Sequence, residues 1–154
     1  MSYITGIDIT ATGTTVDFQL GQVAQTSDGK LYKYVQYVVG AGTVAAVAGN
    51  VVGYYAASGA SAGQVAIVTA DVSDTARAGA GVLQSAPATE EYCWIQVAGS
   101  ATLTTALTAG ADGNALTLVG AGDSTLDVSG AVTDAVCATA IDASAKIIMC
   151  QFPL

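Results

Sequence analysis

Short apolar segments separated by glycine-containing polar turns run along the whole chain, and this spacing constrains the fold more than any other feature. The segments are rich in Val and Ala rather than Leu or Phe, and small and β-branched side chains suit closely packed pleated sheets. The 18 glycines, against two prolines, indicate many tight turns and bulges. Short strands with such turns are typical of a sandwich or barrel. We therefore expect a small all-β fold, either a β-sandwich or a β-barrel.

The arrangement of the segments predicts one β domain over residues 21–154, preceded by an extended N-terminal arm over residues 1–20. A chain of 154 residues is long enough for one domain with a substantial core. A helix of about two turns is predicted over residues 73–80, with Ser73 as its N-cap. The candidate strands are 14–20, 22–26, 31–39, 51–55, 64–72, 81–84, 91–97, 101–107, 115–119, 125–128, 135–140 and 146–152.

The N-terminal arm alternates between apolar and polar residues, as a half-buried strand does. Val16, Phe18 and Leu20 fall on one face of the segment 14–20. An extended segment cannot bury itself alone, so it either pairs with the chain's own sheet or lies across a neighbouring subunit. The apolar residues of the arm are therefore candidate interface residues: Tyr3, Ile4, Ile7, Ile9, Val16, Phe18 and Leu20.

Asp28 and Gly29 lie between two apolar-rich segments and predict a β-hairpin, because the turn needs a positive φ. On the second strand of this hairpin, Tyr32 and Tyr34 fall on one face and Tyr37 on the other. Tyrosines are enriched at protein interfaces, and they are equally ordinary as cross-strand aromatic pairs on a sheet. The three tyrosines are candidate interface residues, with the second alternative left open.

Two segments of the β domain, 81–97 and 136–152, align without a gap. Trp94 then falls on Met149 and Gln96 on Gln151, and each segment has the pattern of a short strand, a polar turn and a longer strand. With similar Gly-Asn turns upstream, these segments suggest half-repeats over 48–97 and 112–152, against the alternative of chance similarity in an Ala- and Gly-rich chain. The predicted core residues are Trp94, Ile95, Val97, Ile148 and Phe152.

The charge distribution argues against direct nucleic-acid binding. The formal net charge is −8, and the four basic residues are scattered singly, so no basic stripe can neutralise a phosphate backbone. The acidic surface either only keeps the protein soluble or discourages contact with packaged nucleic acid. From residue 34 to residue 70 there is no charged residue, but the many glycines and the lack of Leu and Phe make a membrane span a poor prediction.

The composition also provides few residues of the types that enzymes use for catalysis. The chain has no histidine, the commonest base of acid–base and triad chemistry. Cys93, Cys137 and Cys150 lack C-x-x-C spacing and are expected to be free, buried thiols. We predict no catalytic residues, no cofactor and no metal site. With no secretion signal at the start of the sequence, these thiols favour synthesis in a reducing compartment.

The segment "AGAGVLQSAPATEEYCWIQVAGSATL", followed by a Gly- and Ala-rich stretch and by "AVTDAVCATAIDASAKIIMCQF", resembles the small decoration (cement) proteins of tailed-bacteriophage capsids. The matching positions cover about the last half of the chain: Gly81, Val82, Tyr92, Trp94, Ile95, Gln96, Val97 and Gly99. The resemblance implies a structural virion protein, made in the host cell cytoplasm, that binds the outer capsid surface. Its implied partners are the major capsid protein and further copies of itself in a homotrimer, with no nucleic acid and no membrane.

The sequence thus favours a non-enzymatic protein that stabilises contacts between capsid subunits through its arm and tyrosines. The alternative is a glycan-binding or adhesion module of a virion fibre or tail, in which Trp94 and the tyrosines would stack on sugars. Exposure of Trp94 separates the two, because a buried indole cannot serve as a stacking platform.

Overall fold

A computed structural model describes residues 3–56 and 66–154, and these residues form an all-β fold, as predicted. The candidate strand 51–55 keeps both of its predicted ends, whereas the other observed strands differ from their candidates at one end or both. Residues 64 and 65 of the predicted strand 64–72 lie outside the described residues. The strands are β1 (Tyr3–Ile4), β2 (Val23–Gln25), β3 (Leu31–Tyr37), β4 (Val51–Tyr55), β5 (Ile67–Thr69), β6 (Thr75–Leu83), β7 (Tyr92–Thr102), β8 (Ala115–Thr117), β9 (Asp127–Val128), β10 (Val136–Asp142) and β11 (Ile147–Gln151).

Five of these strands close into a barrel. β3, β5, β4, β6 and β7 pair in that order, and β7 pairs with β3 to complete the ring. The closing pair is antiparallel and extends from Gln36↔Tyr92 to Leu31↔Ala98. β1 and β2 extend the sheet from β3, and β11, β10, β8 and β9 extend it from β7. β7 is therefore the strand that joins the barrel to the C-terminal half of the fold.

The predicted hairpin at Asp28 and Gly29 is confirmed. β2 and β3 are antiparallel, with Gln25 opposite Leu31, and the connecting turn places Gly29 at a φ of 83°. The alternation on β3 has the predicted consequence, because Tyr32 and Tyr34 pack on one side of the sheet and Tyr37 on the other. The strand thereby contributes to two separate clusters.

The larger cluster fills the barrel and continues under the C-terminal strands. It contains four of the five predicted core residues: Ile95, Val97, Ile148 and Phe152. The fifth, Trp94, is also buried, but in a second cluster on the opposite face of β3 and β7, together with Ala24, Tyr32 and Tyr34. All five predicted core residues are thus buried.

Three predicted elements are wrong. Residues 14–20 form no strand, and residues 103–107 lie beyond the end of β7. The predicted helix at 73–80 is instead a single 3-10 turn, Val72–Asp74, followed by β6. Asp71, rather than Ser73, caps this turn by accepting a hydrogen bond from the Ser73 amide.

The β6 segment is extended because its glycines allow close strand approach. A Cβ at Gly81 would lie 2.7 Å from the Gln96 carbonyl oxygen on β7, so the position has no room for a side chain. Tertiary packing of this kind overrides a weak local preference for helix.

The two segments that align in the sequence form antiparallel hairpins with the same register. The alignment carries the pair Val82↔Gln96 onto Cys137 and Gln151, which are opposite in the register set by Ala138↔Cys150. Trp94 and Met149 nevertheless differ, because Trp94 is buried and Met149 is exposed. A duplication of half-domains stays a prediction.

Candidate interaction site

The N-terminal arm lies across the aromatic face of the chain's own sheet. The Phe18 ring packs edge-on against Tyr34, with ring centroids 5.3 Å apart, and against Trp94, at 5.2 Å. Tyr34 in turn stacks on Tyr92 with centroids 6.0 Å apart. Edge-to-face pairs of this geometry stabilise the fold by about 0.5–1.5 kcal/mol in addition to the contribution of the surface area that they bury. Phe18 is therefore the anchor of the arm.

Backbone and side-chain hydrogen bonds attach the arm at further points. β1 pairs in parallel with β2, and Gly13 exchanges two backbone hydrogen bonds with Tyr92, at 2.8 and 3.3 Å. The Asp17 amide donates to the Tyr34 hydroxyl at 3.2 Å. Of the two alternatives for the arm, the structure places it on its own sheet.

The candidate interface residues of the arm divide into two groups. Ile4, Ile7, Ile9 and Phe18 pack against the aromatic cluster, and the side chain of Tyr3 lies outside the described part of the structure. Val16 and Leu20 point outward and are 52% and 39% exposed. Because residues 14–20 are not a strand, Phe18 faces inward while its apolar neighbours at 16 and 20 stay on the surface. We name Val16 and Leu20 the outer arm pair.

The structure corrects the prediction that the three tyrosines of β3 are interface residues. Tyr32, Tyr34 and Tyr37 are all buried within the chain. Tyr37 donates to the Val44 carbonyl oxygen at 2.6 Å, and burial raises its pKa to about 12. All three side chains therefore belong to the interior of the chain, and Tyr34 also forms cross-strand aromatic pairs, which was the second alternative, with Tyr92 and Trp94 of β7.

The same cluster bears on the glycan-binding alternative. Trp94 is only 1% exposed, and its neighbours are Phe18 on the arm and Tyr34 on β3. An indole enclosed in this way offers no face to a sugar. The Trp94 platform on which that alternative depends is therefore absent from the described surface.

A polar groove begins on β7 where the cover of the arm ends. Gln96 follows Trp94 on the same face of the strand, and it lines a groove of about 490 Å³. Lys30, at the end of the β2–β3 turn, lines the groove as well. Sequence analysis missed this site; a glutamine within an otherwise apolar strand was the available signal. The remaining lining residues are Ala48, Gly49, Val82, Leu83, Gln84, Ser100, Ala101, Thr102, Thr104 and Ile147.

A buried lysine was also missed. Lys33 is 4% exposed, and its Nζ donates to the Tyr54 hydroxyl at 2.8 Å. The ammonium group lies 5.0 Å from the centroid of the same ring, which adds a cation–π attraction. The pair links β3 to β4.

The three cysteines are free and buried, as predicted. Burial raises the pKa of the thiols of Cys93, Cys137 and Cys150 to about 12. A thiol in this state is a poor nucleophile at neutral pH, because the thiolate is the reactive form.

Within residues 3–56 and 66–154, no group of three or more Cys, Asp or Glu side chains is arranged to hold a metal ion. The described residues also contain no helix that is long and apolar enough to cross a membrane.

No protein-family model, curated protein or solved structure matches this chain.

Proposed function

We propose that this chain is a non-enzymatic structural protein of a virion, which binds the outer surface of a phage capsid and stabilises contacts between capsid subunits. The major capsid protein is its proposed partner, and a homotrimer is its proposed state on the shell. The resemblance of residues 81–99 to capsid decoration proteins motivates the proposal. The acidic net charge of −8 fits a position outside a DNA-filled shell, where like charges do not face each other.

The observation that carries the proposal is the outer arm pair. Val16 and Leu20 are presented to solvent on a segment that Phe18 and the Gly13–Tyr92 hydrogen bonds hold in place. Complete burial of a Val or Leu side chain stabilises by about 1.5–3 kcal/mol, so the exposed part of each contributes about 1 kcal/mol on contact. This binding free energy per copy is modest, but avidity increases when several linked copies bind a lattice at the same time.

Binding to empty shells tests the proposal. Purified protein is added to undecorated shells of the phage that encodes it, and the bound fraction is measured by co-sedimentation. The wild type is expected to bind, and the double variant Val16→Ser/Leu20→Ser is expected to bind about thirtyfold more weakly, from a loss of about 2 kcal/mol.

Val132→Ser is the matched control, because Val132 is fully exposed on a different loop. It should bind as the wild type does. Failure of the wild type to bind these shells would overturn the proposed function. Equal binding by the double variant and the control would show that the outer arm pair does not face the shell.

A further inference from the structure

The C-terminal strands present an open sheet face to solvent. A row of directly opposed residues crosses β8, β10, β11 and β7 in that order: Ala115, Thr139, Met149 and Ser100. Their neighbours Leu116, Ala138 and Ile148 point to the other side of the sheet and belong to the larger core cluster. The row therefore lies on the outer face, together with Ile141 and Ile147, which are two residues away along β10 and β11. We name this surface the β10–β11 face.

Apolar side chains at the centre of the β10–β11 face are in contact with water. Met149 is 38% exposed and Ile141 is 44% exposed. In the aligned hairpin, Trp94 occupies the position equivalent to Met149, and it is buried because Phe18 of the arm packs on it. In the part of the chain that the structure describes, no segment packs over Met149 in this way. The position is therefore open to a partner.

The β10–β11 face also lacks charge. The four strands that form it contain a single charged residue, Asp142 at the end of β10. Its carboxylate accepts hydrogen bonds from the Ser144 hydroxyl at 2.7 Å and from the Ala145 amide at 2.9 Å, both in the β10–β11 turn. The chain as a whole has a net charge of −8. The face is thus an uncharged area on an acidic molecule.

Two lysines near this face are engaged elsewhere. The Lys146 Nζ donates to the carbonyl oxygen of Thr104 at 3.0 Å, and the Lys30 Nζ lies 3.6 Å from Asp28. Neither lysine therefore gives the face a charge that would select an oppositely charged partner.

This neutrality indicates the kind of partner. A cationic partner would be attracted by carboxylates at its contact, whereas a like-charged partner would be repelled by them. A contact with a like-charged partner therefore needs a face without carboxylates. A second copy of this chain, with the same net charge of −8, is such a partner.

The size of the face sets the strength of the contact. Four strands about 4.8 Å apart and about five residues long cover about 300 Å². Stable interfaces bury about 800 Å² on each partner. The contact is therefore weak in solution and persists where a lattice holds copies side by side.

We infer that the β10–β11 face is the contact between copies of this chain in the homotrimer. The inference rests on the proposed function and names the surface through which the copies join. The outer arm pair belongs to the N-terminal arm, so the contact with the capsid subunit and the contact between copies use different surfaces.

The test measures self-association of the isolated full chain by sedimentation velocity, from about 10 μM to about 1 mM. The wild type is expected to associate as its concentration rises. Association should strengthen when sodium chloride is raised from about 0.05 M to about 0.5 M, because salt screens the repulsion between like-charged copies.

A matched pair of variants tests the face itself. Met149→Glu should weaken association at least about tenfold, because it would bury an unpaired carboxylate in the contact. Leu20→Glu is the control, because Leu20 is 39% exposed, nearly as Met149 is, and lies on the arm. It adds the same charge and should associate as the wild type does.

A second measurement locates the contact in the wild type. The chain contains two methionines, so the ¹³C-methyl NMR signal of Met149 is the one missing from Met149→Glu. This signal is expected to shift as the wild type associates.

Four results would overturn the inference: a wild type that stays monomeric at every concentration, association that weakens with salt, equal association of the two Glu variants, or an unmoved Met149 signal. Because these experiments contain no shells, they fail independently of the proposed function, which shell binding tests by itself.

Discussion

Removal of the Phe18 ring should loosen the arm and expose Trp94. The ring makes two edge contacts, with Tyr34 and Trp94, and it is half-buried. Phe→Ala substitutions in a complete core cost about 3–5 kcal/mol, so we expect Phe18→Ala to lower the free energy of unfolding by about 2 kcal/mol. The barrel itself does not depend on Phe18 and should stay folded.

Trp94 is the only tryptophan, so its fluorescence reports on this change without a label. In Phe18→Ala, native-state emission should move to longer wavelength and acrylamide quenching should rise, because the indole loses the ring that covers it. Urea unfolding followed at the same wavelength gives the stability. Val16→Ala is the control, since Val16 points outward on the same segment; it should change stability by less than about 0.5 kcal/mol. If Phe18→Ala behaved like Val16→Ala in both assays, the arm would not cover the aromatic cluster.

Two further predictions concern titratable groups. Burial raises the pKa of all three thiols to about 12. A disulfide reagent at pH 8 should therefore label no cysteine in the native protein and all three after denaturation. Rapid labelling of the native state would contradict the buried placement of the cysteines. Hydrogen bonding from Ser73 lowers the pKa of Asp71, and Asp71 also accepts from the Gly42 amide at 2.7 Å. A lowered folded-state pKa gives stability that is present above the ordinary carboxyl pKa of about 4 and lost as pH falls through the folded value. The free energy of unfolding of Asp71→Asn should therefore be about 1–3 kcal/mol lower than that of the wild type at pH 7. This difference in free energy should become smaller below about pH 4. A difference that does not change with pH would show that the charge of Asp71 does not contribute to stability.

The features that sequence reasoning predicted correctly depend on local chemistry or on alternation. Gly29 marks the hairpin because its positive φ suits a residue without a Cβ. The split of Tyr32 and Tyr37 between two faces follows from the two-residue period of a strand. Burial of Trp94 and Ile95 follows from their place in a long apolar strand, whichever face each occupies.

The errors arose where a pattern needed a partner that the sequence does not specify. Residues 14–20 alternate as a strand does, but among the described residues the arm pairs with β2 and β7 only near Ile4 and Gly13. The Phe18 ring and the Asp17–Tyr34 hydrogen bond, rather than strand pairing, therefore hold the segment. Tyr32 and Tyr34 were placed at an interface because the sequence does not show that the arm would cover them. Tyr37 was placed there because the sequence does not show that its face of β3 lines a closed barrel. The groove was missed for the same reason, since Lys30, Gln84 and Gln96 come together only when β3 and β6 both pair with β7.

A cryo-EM map of shells carrying this protein tests the central claim most directly. The account predicts density on the outer surface of the shell, with the domain oriented so that Val16 and Leu20 contact capsid subunits. Density inside the shell, or an outer domain whose arm faces solvent, would contradict it.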